Sequence, residues 1–383
     1  MFNKKLRLLL TTIHAYGFRA LIVLSTFALN AAVVSPVAVG AATGPVDLEP
    51  VWVRVGDSAG EIDQENDTAS IEAAEFSPDG NMIISGAKEA NDLVLWDVVT
   101  GDEIWRQAHQ AEIESLSFSP DGNYIASGGE DNLVRVWRVS DGEQVATLEH
   151  TASIEGMRFS HSGAILATGD ESGRVNLWDT SSVDPTAWTL ASYAGHGDDV
   201  NSVDFTTDDE YLVSGGRNNL IRIWRITGSG PELRLERVRH ITGHGNSVKS
   251  VRISPDNRLI ASAAANGDDT GDCSVRVWDF ETGEQLQQFD NVKGMEAVEW
   301  TPDGQYLLTG GREGKGDTGI GNIRIYAVPS DPTEPFTLVH MEPVFRQEYL
   351  HFNSAGTQLV SSHEDGTVRL WNFVPSPAGA TGD

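Results

Sequence analysis

Pairs of His and Ser or Thr 18 residues apart, two of them followed by an Asp, are the first residues in this chain that could do chemistry. His109, Ser127 and Asp131 form one set, and His244, Ser262 and Asp272 another. His150 with Thr168, and His196 with Ser214, make partial sets. In a hydrolase these residue types supply nucleophile, base and orienting carboxylate, but the nucleophile needs an exposed oxygen beside an oxyanion site. Here each set is followed by a Trp that ends an alternating segment: Trp137, Trp178, Trp224 and Trp278. A constellation that recurs along one chain belongs to a repeat, so acyl-transfer chemistry is rejected. The histidines read in the same way as satisfied structural residues, not as metal ligands. The chain shows no P-loop, dinucleotide fingerprint or zinc spacing. Asp268, Asp269 and Asp272, in a Gly/Asp-rich turn, are the candidates for Ca²⁺, which needs several oxygen ligands. Their spacing does not match an EF-hand, and no cofactor is expected.

Composition narrows the classes further. The chain has 383 residues, with 27 Lys+Arg against 56 Asp+Glu, and a net charge of −29. That acidity argues against nucleic acid, whose phosphates need a basic face. A single cysteine, Cys273, excludes an internal disulfide framework. Ten Trp and ample aliphatic residues exclude a disordered chain. The first 42 residues stand apart, because they hold four basic residues and no acidic ones. An apolar run from Ala20 through Val34 is followed by Pro36 and the small residues Ala38–Ala42. This order reads as a secretory signal cut near Ala41 or Ala42, with an uncleaved membrane anchor as the alternative. The expected organisation is a signal at 1–42, a linker at 43–50, a folded domain at 51–373 and a flexible tail at 374–383. The expected location is exported: periplasmic, cell-envelope or extracellular.

The folded part is a repeat. A unit recurs seven times. Each opens with an apolar segment closed by an aromatic or Ile (Phe76, Phe118, Phe159, Phe205, Ile253, Trp300, Phe352), followed by a turn that often reads Ser-Pro-Asp-Gly. A second strand contains Ser or Thr: Ser85, Ser127, Thr168, Ser214, Ser262, Thr309, Ser361. A third ends in Trp96, Trp137, Trp178, Trp224, Trp278, Tyr326 or Trp371. Six units add a fourth strand, and the last does not. Val51–Val55 alternates cleanly and is expected to supply the missing strand, closing a ring and hiding its sheet edges.

These turns, the Ser-Gly-Gly segments, the Trp-Asp pairs at 96–97, 178–179 and 278–279 and the Gly-His pairs at 195–196 and 243–244 resemble the WD40 repeat family. The resemblance covers residues 51–373. It implies an all-β, seven-bladed propeller that acts as a protein-binding platform and is not an enzyme. It also implies a hydrogen-bonded His, Ser/Thr, Asp, Trp chain within a blade. His109, Ser127, Asp131, Trp137 and His244, Ser262, Asp272, Trp278 match fully. Ser172 stands at the Asp position beside His150, Thr168 and Trp178, and Asn218 beside His196, Ser214 and Trp224. The seventh unit keeps Ser361, Asp365 and Trp371 but lacks the His.

By the same resemblance the first strand lines a central channel. Four positions before its closing residue the units read Glu72, Glu114, Glu155, Asn201, Lys249, Glu296 and Glu348. Such a ring would place five carboxylates at the upper mouth with one Lys in answer. Like charges so gathered either raise their pKa values or bind a cation, a Lys/Arg side chain or solvent ions. One position before the closing residue, Glu75, Ser117, Arg158, Asp204, Arg252, Glu299 and His351 alternate in sign. Arg158 should pair with Asp204 and Arg252 with Glu299, giving a self-neutralising layer. Enlarged turns at 266–272 and 313–319, and the acidic stretch Glu61–Asp67, are expected on the face of the Glu ring. The expected function is a monomeric, non-catalytic scaffold binding a protein partner on that face, with a basic peptide segment as the favoured partner type. The alternatives are an envelope assembly factor and a small-ligand or cation-binding propeller.

Overall fold

A computed structural model describes residues 46–56, 70–265, 271–289, 293–312 and 320–375. Residues 1–42 with their proposed signal, the stretch Glu61–Asp67, Asp268, Asp269, the 313–319 insert and the tail from 376 lie outside the described residues.

The described chain folds into seven four-stranded antiparallel sheets. Their innermost strands are Ile71–Phe76, Ile113–Phe118, Ile154–Phe159, Val200–Phe205, Val248–Ile253, Lys293–Trp300 and Gln347–Phe352. Each touches the next, and the last touches the first, so the sheets are the blades of a closed ring. Blades 1 to 6 are consecutive in sequence, whereas blade 7 takes its outermost strand from the other end of the domain. That strand is Val46–Val55, paired antiparallel with Thr367–Pro375 from Val46↔Pro375 to Val55↔Thr367. Closure therefore follows the expectation, but the strand is longer than the alternation suggested. Residues 46–50, read as linker, belong to it, because Val46 and Leu48 are buried in the core shared by blades 6 and 7. Pro50 hid this; a register shift between Pro50 and Trp52 absorbs it. Val374 and Pro375, read as tail, extend the partner strand by pairing with Asp47 and Val46.

The turns explain why the strands are short. In Ser77–Gly80 the Ser77 Oγ donates to Asp79 Oδ1 at 2.6 Å, and Asp79 Oδ1 accepts from Asn81 N at 3.0 Å. Gly80 then takes φ +72°, a left-handed conformation that costs an ordinary side chain energy. Blades 4 and 5 place Asp209 (φ 58°) and Asn257 (φ 60°) there instead, residues that tolerate this region. Both use the half-buried position to reach a neighbour: Asp209 accepts from His161 N and Ser162 N, and Asn257 from Thr207 N.

The hydrophobic core is distributed between blades. Each cluster joins two neighbours, as where Trp137 of blade 2 packs with Ile84 and Leu93 of blade 1. Glycine after the second-strand Ser keeps that approach close; a Cβ on Gly86 would stand 2.5 Å from Ile113 Cγ2. No helix among the described residues is long and apolar enough to cross a membrane.

Candidate functional site

All seven residues four places before the closing aromatic line one cavity at one end of the channel: Glu72, Glu114, Glu155, Asn201, Lys249, Glu296 and Glu348. They converge because each occupies the same register on an innermost strand, as where Glu72 is the unpaired residue within the Ile71/Ala73 register shift. Their roles differ. Asn201 is committed to a clamp, donating from Nδ2 to Ser247 Oγ and Val248 O, both at 2.8 Å, in the next blade. Lys249 is exposed and acts on Glu155 from a distance. The cation that seats itself among the carboxylates is Lys88, which sequence reading passed over. Its Nζ lies 3.1 Å from Glu114 and 3.9 Å from Glu72. Lys88 follows the second strand of blade 1 rather than lying on a channel strand, so no alignment of first strands could find it.

The carboxylates pay for their crowding in proton affinity. Burial against the channel wall, then the charge of Glu114, pushes Glu72 up to about 7 despite Lys88. Burial, then Glu114 and Glu171, takes Glu155 to about 7 as well. Glu348 is raised well above the usual carboxylate value, by burial and by Glu72, Glu296 and Glu364. Glu364 is held between two guanidiniums, 2.6 Å from Arg312 and 2.7 Å from Arg346. For Lys88, burial alone would lower its pKa, but Glu72 and Glu114 raise it above the usual lysine value. Glu112, Glu114 and Glu130 also bring carboxylate oxygens within 4.8 Å of one another.

Below this ring lies the expected charge-paired layer. Arg158 sits 3.1 Å from Asp204, and Arg252 3.1 Å from Glu299. Arg252 also donates to the hydroxyl of Tyr349 at 2.7 Å, a partner the pattern did not reveal. The layer stitches blades together. Ser117 Oγ accepts from Phe159 N, Asp204 from Ile253 N and His351 Nδ1 from Phe76 N. Burial, then Arg158 and Arg252, holds His351 well below the usual imidazole value, which keeps Nδ1 free to accept. The opposite mouth is a wider cavity ringed by Pro78, Pro120, Pro255 and Pro302.

The blade networks are structural, but only one forms as expected. In blade 5, Ser262 Oγ accepts from Trp278 Nε1 at 2.8 Å and meets His244 Nε2 at 2.7 Å, with Asp272 3.2 Å from His244 Nδ1. In blade 2, Ser127 accepts from Trp137 at 2.8 Å, but Arg135 stands between His109 and Asp131, 3.3 Å from the first and 2.6 Å from the second. In blade 3, Trp178 donates to Thr168, which lies 3.4 Å from His150; the carboxylate is Asp170, not the Ser172 position. Asn176 links Asp170 to the ring, and Ser172 donates to Asp170 at 2.5 Å. In blade 4, Trp224 donates to Ser214 at 2.8 Å, while His196 faces the Ser214 carbonyl. Blade 7 does not lack its imidazole. His363, two residues after Ser361 on the same strand, reaches Ser361 Oγ at 2.8 Å and replaces a His arriving from the preceding loop. Every one of these hydroxyls is buried and most receive an indole N–H, so none is an exposed nucleophile. Two spacings familiar from helical metal sites, His240–His244 and Glu348–His351, begin on strands; Glu348 and His351 line cavities at opposite ends of the channel.

Blade 6 tests the network's energetics. Tyr326 stands where the others have Trp, and the Thr309 hydroxyl is left buried with no partner. Thr309→Val should therefore stabilise the protein by about 1 kcal/mol, because an unmet hydroxyl is removed without change of shape. The same change at Thr168, which accepts from Trp178 at 3.2 Å, should destabilise it by about 1–2 kcal/mol. Urea unfolding of both variants checks the contrast.

With this geometry, the class is defined: the chain is a seven-bladed β-propeller carrying five matched repeats of the WD40 family. The model of the WD domain, G-beta repeat, matches residues 103–138, 142–179, 188–225, 235–279 and 347–372. Blades 1 and 6 fall largely outside these matches, yet both form in full. A serine-threonine kinase receptor-associated protein of Mus musculus is 25% identical over 205 residues, covering 46% of this chain and 55% of the relative. The eukaryotic translation initiation factor 3 subunit I of Emericella nidulans is 26% identical over 186 residues, covering 47% of this chain and 51% of the relative. The chain thus spans about half the length of these curated relatives. A solved structure, that of U3-55K, superposes with a TM-score of 0.65 at 19% identity, covering 79% of this chain and 95% of that one. It shows the fold.

Proposed function

We propose that this protein is an exported, non-catalytic scaffold that binds a basic segment of a protein partner at its acidic channel mouth. The observation that carries this reading is the convergence of five glutamates on one opening, where Lys88 already sits between two of them. The mouth accepts an ammonium group in that position, and Glu155 and Glu348 retain raised proton affinity beside it. The relatives' printed names, a receptor-associated protein and a factor subunit, are those of proteins that work in company. Export rests on residues 1–42; mass analysis of the native N-terminus should find it near residue 42, and an intact Met1 would remove that part.

Calorimetric titration with a Lys/Arg-rich peptide tests the mouth. Combined Glu114→Gln and Glu155→Gln should weaken binding at least about tenfold, the scale of one to two lost charge pairs. Lys88→Gln should tighten it severalfold by freeing Glu72 and Glu114. Unchanged affinity in the glutamine variant rules the reading out. The close carboxylates of Glu112, Glu114 and Glu130 favour a second reading, a divalent cation site, and titrating Ca²⁺ into the same variants decides between them.

A further inference from the structure

The outer edge of blade 4 breaks the charge rule of the rest of the molecule. Its two outer strands, Ile221–Thr227 and Arg234–Ile241, carry Arg222, Arg225, Arg234, Arg237 and Arg239 against a single carboxylate, Glu236, which the register sets opposite Arg225, in a chain whose net charge is −29. Among the described residues, only Arg234 has a carboxylate within 4 Å, the exposed Glu232 at 3.9 Å. Arg222 and Arg239 spend their guanidiniums on the backbone carbonyls of Gly195 and Thr282, and the Nε of each is buried without a partner. Arg225 and Arg237 are exposed. The register puts Arg237 opposite Trp224, two residue pairs from Arg222 opposite His240, with Arg239 opposite Ile223 between them. Arg222 is accordingly depressed, by burial and then by the charge of Arg237.

Arg234–Ile241 is also a terminal strand of its sheet, paired only with Ile221–Thr227. An edge strand offers a free row of N–H and C=O groups to any incoming chain, and charged side chains decide which chain may pair. A second copy would set three arginines and one glutamate against the same set, a net repulsion across the new ladder. An acidic strand would set carboxylates there, each able to take a guanidinium fork.

We propose that this edge is a second docking surface, and that it takes an extended acidic peptide segment by strand addition. The surface lies on the outside of the ring, apart from the glutamate mouth, and is independent of the reading given to that mouth.

The test uses the full chain and a labelled eight-residue probe alternating Glu with Val, with a Lys-for-Glu version as control. Fluorescence anisotropy should show saturable binding of the acidic probe only. Arg237→Glu, at an exposed position with no ion-pair partner among the described residues, should weaken it about tenfold or more without lowering the melting temperature. Glu114→Gln should leave it unchanged. Amide exchange should slow at 234–241 when the probe is added. The proposal is overturned if binding does not saturate, if Arg237→Glu binds equally well, or if protection appears elsewhere. It is also overturned if inorganic polyphosphate displaces the probe and the edge amides stay unprotected, since the arginines would then act as a plain anion patch.

Discussion

Trp52→Ala is expected to cost about 3–5 kcal/mol, the range for emptying a buried Trp site. The side chain is 4% exposed, packs with Val360, Val368 and Leu370 of blade 7 and Ile83 and Val94 of blade 1, and donates from Nε1 to Val98 O at 2.9 Å. It therefore joins both blades to the strand that closes the ring. Arg54 repeats the bridge, donating to Gly101 O and Thr100 O in blade 1. Because the closing strand and its partner come from opposite ends of the domain, this contact is the most non-local in the fold, and its loss opens two sheet edges at once. Denaturant unfolding should show a lowered midpoint, and amide exchange should show Val51–Val55 losing protection together with Thr367–Trp371. Protection of 51–55 that survives the substitution would mean the ring is closed by something other than this strand.

Glu155→Gln is expected to stabilise the protein at pH 8 by about 1–3 kcal/mol, with the gain shrinking toward zero near pH 4.5. The sign follows from the raised pKa. Glu72 and Glu155 titrate at about 7 in the folded chain and near 4.5 when unfolded. Between those values the folded state keeps protons that the unfolded state has released, so stability falls as pH rises through the window. Glutamine, always neutral, removes the penalty. The buried histidines act in the opposite sense. His109 and His196 are lowered to about 4, and His363 to about 3, in each case mainly by burial. Folded, they resist protonation, so acidification below about 6.5 takes stability away. Wild type should thus be most stable between the two limbs, and Glu155→Gln should flatten only the alkaline one. Thermal melts of both proteins from pH 4.5 to 8 check this. An equal gain at every pH would point to packing rather than charge.

How much of this was legible beforehand depended on where each residue's partners lie along the chain. The Ser-x-Asp-Gly turns close within four residues, and the Trp to Ser bonds span a single hairpin, so local spacing revealed both. The two channel rings were legible because every blade repeats the same register, and aligning the closing aromatics aligned Glu72 with Glu348. The charge-paired layer followed from that alignment, since adjacent blades are consecutive in sequence. Residues that reach their place by another route were missed. Lys88 enters the mouth from beyond the second strand, Tyr349 reaches Arg252 across the channel, and His363 serves Ser361 from its own strand. Asp170 was overlooked because the family's position for its carboxylate is two residues later, at Ser172.

The sequence by itself determined a seven-fold β repeat, its turns, the closing partnership of the two ends and the membership of the glutamate ring. All of these are written in period and residue type, which act over one hairpin or one blade. Only the tertiary structure decided which charges are answered. Lys88 meets Glu72 and Glu114, Arg312 and Arg346 share Glu364, and Arg237 on blade 4 has no carboxylate within 4 Å among the described residues. Electrostatic energy depends on distance through space and on burial, and a linear order of residues specifies neither until the ring has closed.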